Sequence, residues 1–224
     1  MTDGKVLSVN VAVPERSTAK NVGITGINKR PVDHPVAVRA PGPKTTGLHS
    51  GLVGDQIFDV AHHGGDEQAV YAYAREDYDW WQERLGRDLP GGLFGDNLTT
   101  AGVDVTGAVI GEKWRIGADL VLSPTFGRIP CATFQAKMNE PHWVKRFTME
   151  NRTGAYLRVV EPGEVKAGDP VEVVDRPAHG MTIARAFRAY MSDADLLPEL
   201  LKVDTLPAGL RESVERKLAV RRRP

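Results

Sequence analysis

The sequence predicts a mainly β chain with one or two helices, followed by a small segment of three helices. Two observations predict it. The 23 Gly and 15 Pro are spread along the chain as far as about Gly180, which implies many turns and hence many short strands. At Arg176-Pro177 the composition changes: glycine becomes scarce after Gly180 and a helical period takes over. On this reading residues 1–175 form one β-rich unit and residues 176–224 a three-helix appendage.

Residues 5–11 alternate in polarity and read as the first strand. Residues 23–29 read as a loop or short strand ending at the basic pair Lys29-Arg30. Residues 35–39 form another short strand, closed by the turn signal Pro41-Gly42-Pro43, and residues 56–60 a further one. Asp66 is placed to N-cap the clearest helix of the first part, with Glu67 near the positive end of its dipole. Val70, Tyr73, Ala74, Tyr78, Trp81 and Leu85 follow roughly helical spacing, and Gly86 marks the end. Residues 89–92 and 95–100 read as turns. Residues 103–116 read as short strands divided by Gly107 and Gly111. Residues 119–123 form the strand that delivers the turn Gly127-Arg128-Ile129-Pro130-Cys131, and residues 132–145 are partly helical. Residues 155–160 and 171–174 are strands flanking the turn Glu161-Pro162-Gly163-Glu164. Three helices follow: residues 182–190, residues 196–202 opened by the capping-box-like Ser192-Asp193-Ala194-Asp195, and a third opened by Pro207. The third carries Leu210, Val214 and Leu218 on one face. Helices this short bury little alone, so they must pack on each other or on the β unit. Arg221-Arg222-Arg223 reads as a solvated tail.

Composition narrows the function classes. Lys+Arg and Asp+Glu balance at 29 each, so nothing steers the whole molecule to nucleic acid or to an anionic membrane. The single cysteine excludes an internal disulfide framework and a zinc site built on several thiolates, and fits a reducing cytoplasm. Residues 1–14 lack the basic-then-apolar pattern of a signal peptide. No apolar run approaches the ~18 residues of a membrane span. Neither GxxxxGK[ST] nor a strand followed by GxGxxG occurs, and no flavin, iron–sulfur or zinc ligand pattern is present.

Three constellations carry chemistry. In Arg128-Ile129-Pro130-Cys131 the proline fixes the backbone before the sulfur, and a guanidinium three residues away favours the thiolate, the form that attacks or binds metal. The same cysteine would also serve as a small buried hydrophobe. His62-His63-Gly64-Gly65 places two imidazoles at a glycine-rich junction suited to an anion; adjacent residues on extended chain point opposite ways, so both do not reach one ion. Gly95-Asp96-Asn97-Leu98-Thr99-Thr100 gathers a carboxylate, an amide and two hydroxyls that can read a heterocycle edge or stabilise their own backbone. Lys29-Arg30 can meet a phosphate or stay solvated.

Singly these are weak, but their order is specific. Gly51-Leu52-Val53-Gly54-Asp55 with Asp59, His62-His63-Gly64-Gly65, Ala69-Val70-Tyr71-Ala72-Tyr73, Gly92-Leu93-Phe94-Gly95-Asp96-Asn97-Leu98-Thr99-Thr100, Ile110-Gly111-Glu112, Arg115-Ile116-Gly117 and Arg128-Ile129-Pro130-Cys131 together resemble the MOSC domain family, in its YiiM-like subfamily. The resemblance covers about residues 5–175, and the tail resembles that subfamily's three-helix appendage.

The resemblance implies a MOSC-type β-barrel that binds molybdenum cofactor (molybdopterin), with Cys131 as metal ligand or sulfur carrier. It implies a molybdenum-dependent reductase of N-hydroxylated small molecules such as 6-hydroxylaminopurine, in the cytoplasm. The alternative is a non-catalytic carrier of cofactor or sulfur using Cys131. Carried over residue by residue, Cys131 and Arg128 fall in the catalytic role. Lys29, Arg30, His62, His63, Asp96 and Asn97 fall in cofactor binding. With no flavin or iron–sulfur motif, electrons must come from a separate reductase; the partners are that protein and the substrate, with no nucleic acid and no membrane. The terminal helices are left to cover the barrel mouth, bind the reductase or form a homodimer. Three departures stand out: Asp96 where the family writes Glu, Gln68 where it often has Lys, and Thr125-Phe126-Gly127 where Gln-Pro-Arg usually leads to the cysteine motif.

Overall fold

A computed structural model describes residues 4–221 of the chain; Arg222 and Arg223 of the expected basic tail lie outside the described residues. The strands are β1 (Gly4–Ala12), β2 (Glu15–Arg16), β3 (Ile24–Thr25), β4 (Lys29–Val32), β5 (Val36–Val38), β6 (Val70–Ala74), β7 (Leu98–Ala101), β8 (Lys113–Ile116), β9 (Leu120–Phe126), β10 (Ala155–Glu161), β11 (Gly163–Val165) and β12 (Pro170–Asp175). The α-helices are α1 (Arg75–Leu85), α2 (Ala132–Met138), α3 (Trp143–Glu150), α4 (Ile183–Met191), α5 (Leu197–Leu200) and α6 (Ala208–Arg221).

Seven strands close a barrel in the order β1-β12-β8-β9-β10-β6-β7, because β1 pairs with both β12 and β7. Closure removes the open edges that would otherwise invite pairing with other chains. Every ladder of the barrel is antiparallel except β6 with β7, where Ala72 faces Leu98. β4 continues along β1, Val9 opposite Val32. β5 with β11 and β2 with β3 form separate two-stranded ribbons. Among the described residues no helix is long and apolar enough to cross a membrane.

Strand β6 decides how the molecule packs. Val70, Ala72 and Ala74 point into the barrel core. Tyr71 and Tyr73 point the other way, into an aromatic cluster with Tyr78, Trp81, Phe94, Phe134, Trp143 and Phe147. A strand buried on both faces reads as an unbroken apolar run, which is why this stretch passes for the start of a helix. The helix expected from Asp66 is in fact a single 3-10 turn over Asp66–Gln68, then β6, and α1 begins only at Arg75. Its end at Gly86 holds, with φ at 62° and the amide on the carbonyl of Gln82.

Three further expectations give way. Residues 56–60 form no strand: Asp59 turns the chain, its carbonyl accepting from the amides of His62 and His63 at 3.2 and 3.0 Å. The stretch read as a turn at 95–100 supplies β7 from Leu98 onward. In residues 103–116 only β8 joins the barrel, because the backbone before it bonds to the start of α4: Ile183 N donates to Ala108 O at 2.8 Å and Ala184 N to Thr106 O at 2.9 Å.

The last three α-helices pack on the barrel. Ile183, Ala186, Phe187, Leu197, Leu200 and Val214 belong to the barrel's own hydrophobic cluster. The Thr182 hydroxyl accepts from the Arg185 amide at 3.1 Å and caps α4, a contact worth about 1 kcal/mol. Ser192, read as a helix opener, stands at the C-cap of α4 instead, and a 3-10 turn (Ala194–Leu196) leads into the one-turn α5.

Candidate functional site

The site forms where β9 ends. Gly127 lets the chain pass between Thr153 and Phe187: a Cβ there would stand 2.5 Å from the Thr153 Oγ1. Arg128 then turns inward and is buried. Its Nη1 donates to the carbonyl of Phe94, and its guanidinium carbon lies 4.3 Å from the Phe134 ring centroid and 5.3 Å from that of Tyr71. Gly95, at φ +78°, makes room: a Cβ would stand 3.1 Å from the arginine's Nη1. The Arg128 Nε is buried without a hydrogen-bond partner, and no carboxylate among the described residues pairs with this cation. Burial works against the charge, but Tyr156, Tyr71 and Cys131 around it outweigh that and raise its pKa.

Cys131 follows at the N-cap of α2, in extended conformation, with its carbonyl accepting from the Gln135 amide at 2.9 Å. The thiol is free and half-buried. It lines an inner cavity of about 110 Å³ and also a wider outer groove of about 760 Å³.

Of the residues expected in the site, Cys131, Arg128, Lys29, His63 and Asn97 all line the inner cavity. Their roles differ. Lys29 forms a buried ion pair with Asp55, so its charge is already matched. Asp55 also accepts from Ser50 Oγ at 2.7 Å, Asn97 Nδ2 at 3.0 Å and the Ala12 amide at 2.8 Å. Burial pushes the Asp55 carboxyl up, yet Lys29 and these hydrogen bonds outweigh it and hold the pKa below the usual value. Asn97 is a clamp: its Oδ1 accepts from the Tyr71 amide at 3.1 Å while its Nδ2 serves Asp55 and, at 3.3 Å, the Asn10 carbonyl. His63 is held neutral, its pKa lowered to about 4 by burial and by the cations Arg128 and Lys20.

Three expected residues stand elsewhere. Arg30 is exposed, since strand alternation sends it away from the face Lys29 occupies. His62 has a side chain 68% exposed and bonds Asp59 at 2.8 Å, at the outer groove. Asp96 is fully buried and does not line the inner cavity. Its carboxylate accepts from Tyr78 OH at 2.5 Å, Thr99 Oγ1 at 2.7 Å and the Gly92 amide at 3.2 Å. Its oxygens are spent on the fold.

The structure adds residues that carried no role in the sequence. Asp55 anchors Lys29 and Asn97. Tyr71 and Tyr156 meet at a tilt of 40°, centroids 5.0 Å apart, beside Arg128. Lys20 and Asp59 form an ion pair on the cavity wall. Asp55, Asp59 and Tyr71 stand in the ordered motifs of the sequence, whereas Lys20 and Tyr156 carried no signal there. Among the described residues no group of three His, Cys, Asp or Glu could hold a metal ion, so a single soft thiolate is what the protein offers; that suits a metal arriving already held by an organic ligand.

A closed barrel with one thiol and one unmatched buried cation at its mouth defines the class, and the MOSC domain model matches residues 59–172: the chain belongs to the MOSC domain family. It is 32% identical to the protein YflK of Bacillus subtilis, over 93% of this chain and 90% of that one. It is 29% identical to Protein YiiM of Escherichia coli, over 77% of each. A protein of Gibberella moniliformis named Reductase is 30% identical over 67% of this chain, which corresponds to 28% of that longer protein. Among solved structures, YiiM from Geobacillus stearothermophilus superposes with a TM-score of 0.76 at 26% identity, covering 96% of this chain and 99% of that one. YiiM from Escherichia coli shares the fold, with a TM-score of 0.70 at 20% identity, over 95% of this chain and 92% of that one.

Proposed function

We propose that the chain binds molybdenum cofactor at Cys131 and reduces N-hydroxylated small molecules of the 6-hydroxylaminopurine kind, with electrons from a separate reductase protein. The observation that supports this most is Arg128: a buried guanidinium, three residues from the thiol, with an unpartnered Nε and no carboxylate to match it. A buried cation without a counter-ion is costly, and an anionic ligand in the cavity relieves that cost. The residues fit a phosphorylated pterin with a sulfur-held metal: Cys131 offers one free soft thiol at the cavity and Arg128 an unpartnered buried cation beside it.

Cys131 Sγ would ligate the metal and Arg128 would hold the anionic part. When bound, the cofactor would supply two-electron reducing chemistry for an N–OH group. The balance is R–NHOH plus two electrons plus two protons, giving R–NH2 and water. The chain's own part is placement. Asp55 and Asn97 fix β6 and the cavity floor. His63, uncharged at neutral pH, adds no second cation beside Arg128. Tyr71 is tied by its hydroxyl to the Thr153 carbonyl at 2.7 Å and keeps its ring against the guanidinium.

The test is turnover of a hydroxylaminopurine by the protein made in a molybdenum-replete host and supplied with a reductase and NADH. Amine formation that disappears in Cys131→Ser supports the reading. Cofactor retention without turnover selects the carrier, and unchanged turnover in the variant overturns both.

A further inference from the structure

Two chambers meet at one sulfur. The inner cavity and the outer groove share Cys131, His63, Gly64, Gln68, Tyr156 and Lys20, and beyond that seam they differ in chemistry. The inner one holds the unmatched charge of Arg128. The outer one runs from Cys131 out to α6 and is walled by Phe126, Ile129, Pro130, Tyr190, Pro207 and Leu210. Of its charged groups, Lys20 pairs with Asp59, Glu67 with Arg158 at 2.8 Å and, loosely, Arg216 with Glu212 at 3.7 Å, while the Lys44 ammonium meets the neutral His62 carbonyl at 3.3 Å. The Tyr190 hydroxyl is engaged with Ser213 Oγ at 2.7 Å, and its ring meets Phe126 edge-on at 5.7 Å and 82°. The wall of α4 and α6 therefore presents the Tyr190 ring, held by Ser213 and by Lys217 at 4.1 Å over it, and the aliphatic Leu210, with Arg216 at its solvent edge.

We propose that this groove is the substrate's approach to Cys131, and that the C-terminal helix α6 sets which N-hydroxylated molecules pass, by the width it leaves for a flat ring. This rests on the reading that Cys131 holds the cofactor. Pockets that recognise ring compounds are mostly apolar with few polar groups, and the division leaves the small charged chamber to the anionic phosphate end of the cofactor. The helices that sequence left without a role become part of the site.

Gly209 gives a clean probe. It lies in the first turn of α6 and lines the groove, and a Cβ there meets nothing within 4 Å, so Gly209→Trp narrows the passage without a clash at its root. Cys131 is the chain's only cysteine, so thiol labelling reads access to it directly, with or without cofactor. In the cofactor-free chain, the rate of modification by N-(1-pyrenyl)maleimide is compared with that by iodoacetamide. Gly209→Trp is expected to slow the flat bulky reagent about tenfold relative to the small one, the scale on which a pocket rejects a misfit. Met149→Trp, on an exposed position of α3, is expected to leave both rates unchanged. An unaltered rate ratio in Gly209→Trp overturns the proposal. Should that variant fail to fold, Arg216→Trp, at a side chain 70% exposed on the same wall, makes the same test. In the loaded protein, Gly209→Trp should raise KM for a ring-bearing hydroxylamine with kcat nearly kept. Failure of the parent to turn over any N-hydroxyl compound would sink the functional reading while leaving the labelling ratio to judge the passage.

Discussion

The guanidinium of Arg128 stacks 4.3 Å over the ring of Phe134 and meets no carboxylate among the described residues. Aromatic faces attract a cation without neutralising it. The charge therefore stays available to an anion in the cavity, and Arg128→Met separates the two roles. Loss of the hydrogen bond to Phe94 costs about 1 kcal/mol, offset by removal of a buried unmatched charge, so the unliganded variant should melt close to the parent. Pyrophosphate at a hundred times its Kd should stabilise the parent by about 2.7 kcal/mol and leave Arg128→Met unshifted in a thermal melt. An equal shift in both proteins would show that the arginine holds no anion.

Acid should weaken the fold in two separate windows. His63 has its pKa lowered from 6.5 to about 4 by burial and the nearby cations. The unfolded chain takes up that proton first, so stability falls as pH drops from 6.5 towards 4. At Asp59 burial raises the pKa, but the hydrogen bonds from Lys20 and His62 outweigh it and hold it at about 2, against 3.8 ordinarily. Its contribution is complete above 3.8 and is lost as pH falls towards 2. Urea midpoints across the range should show His63→Asn flattening the upper window, and Asp59→Asn flattening the lower one while deepening the upper, since the Asp59 charge holds the His63 pKa up. Parallel curves for parent and variants would refute both assignments.

Asp96 should behave as a fold residue. Asp96→Ala strands Tyr78, Thr99 and the Gly92 amide, three buried donors, and should cost at least about 3 kcal/mol in denaturant unfolding. The molybdenum content of the protein that remains folded should match the parent's. A stable Asp96→Ala that loses metal would instead place the carboxylate in cofactor binding.

The sequence pointed to residues that line the cavity better than to the scaffolding that holds them. Arg128-Ile129-Pro130-Cys131 was legible because proline and a lone thiol leave few local options. Lys29 and Arg30 were read as one basic pair, and only the β4 pleat, set by pairing with β1, sends the first inward and the second out. Asp55 was passed over since its meaning comes from Lys29 and Asn97, 26 and 42 residues away in sequence. β6 was misread because a run buried on both faces has no period to follow. Asp96 and Asn97, adjacent in one motif, divide between the fold and the cavity wall, a difference of orientation that residue type does not encode.

The most direct measurement is the molybdenum-to-protein ratio, by elemental analysis, of the parent and Cys131→Ser made side by side in a molybdenum-replete host and purified identically. The thiolate reading predicts metal bound to the parent and none above background in Cys131→Ser, with both proteins folded. Equal molybdenum in the two would contradict it.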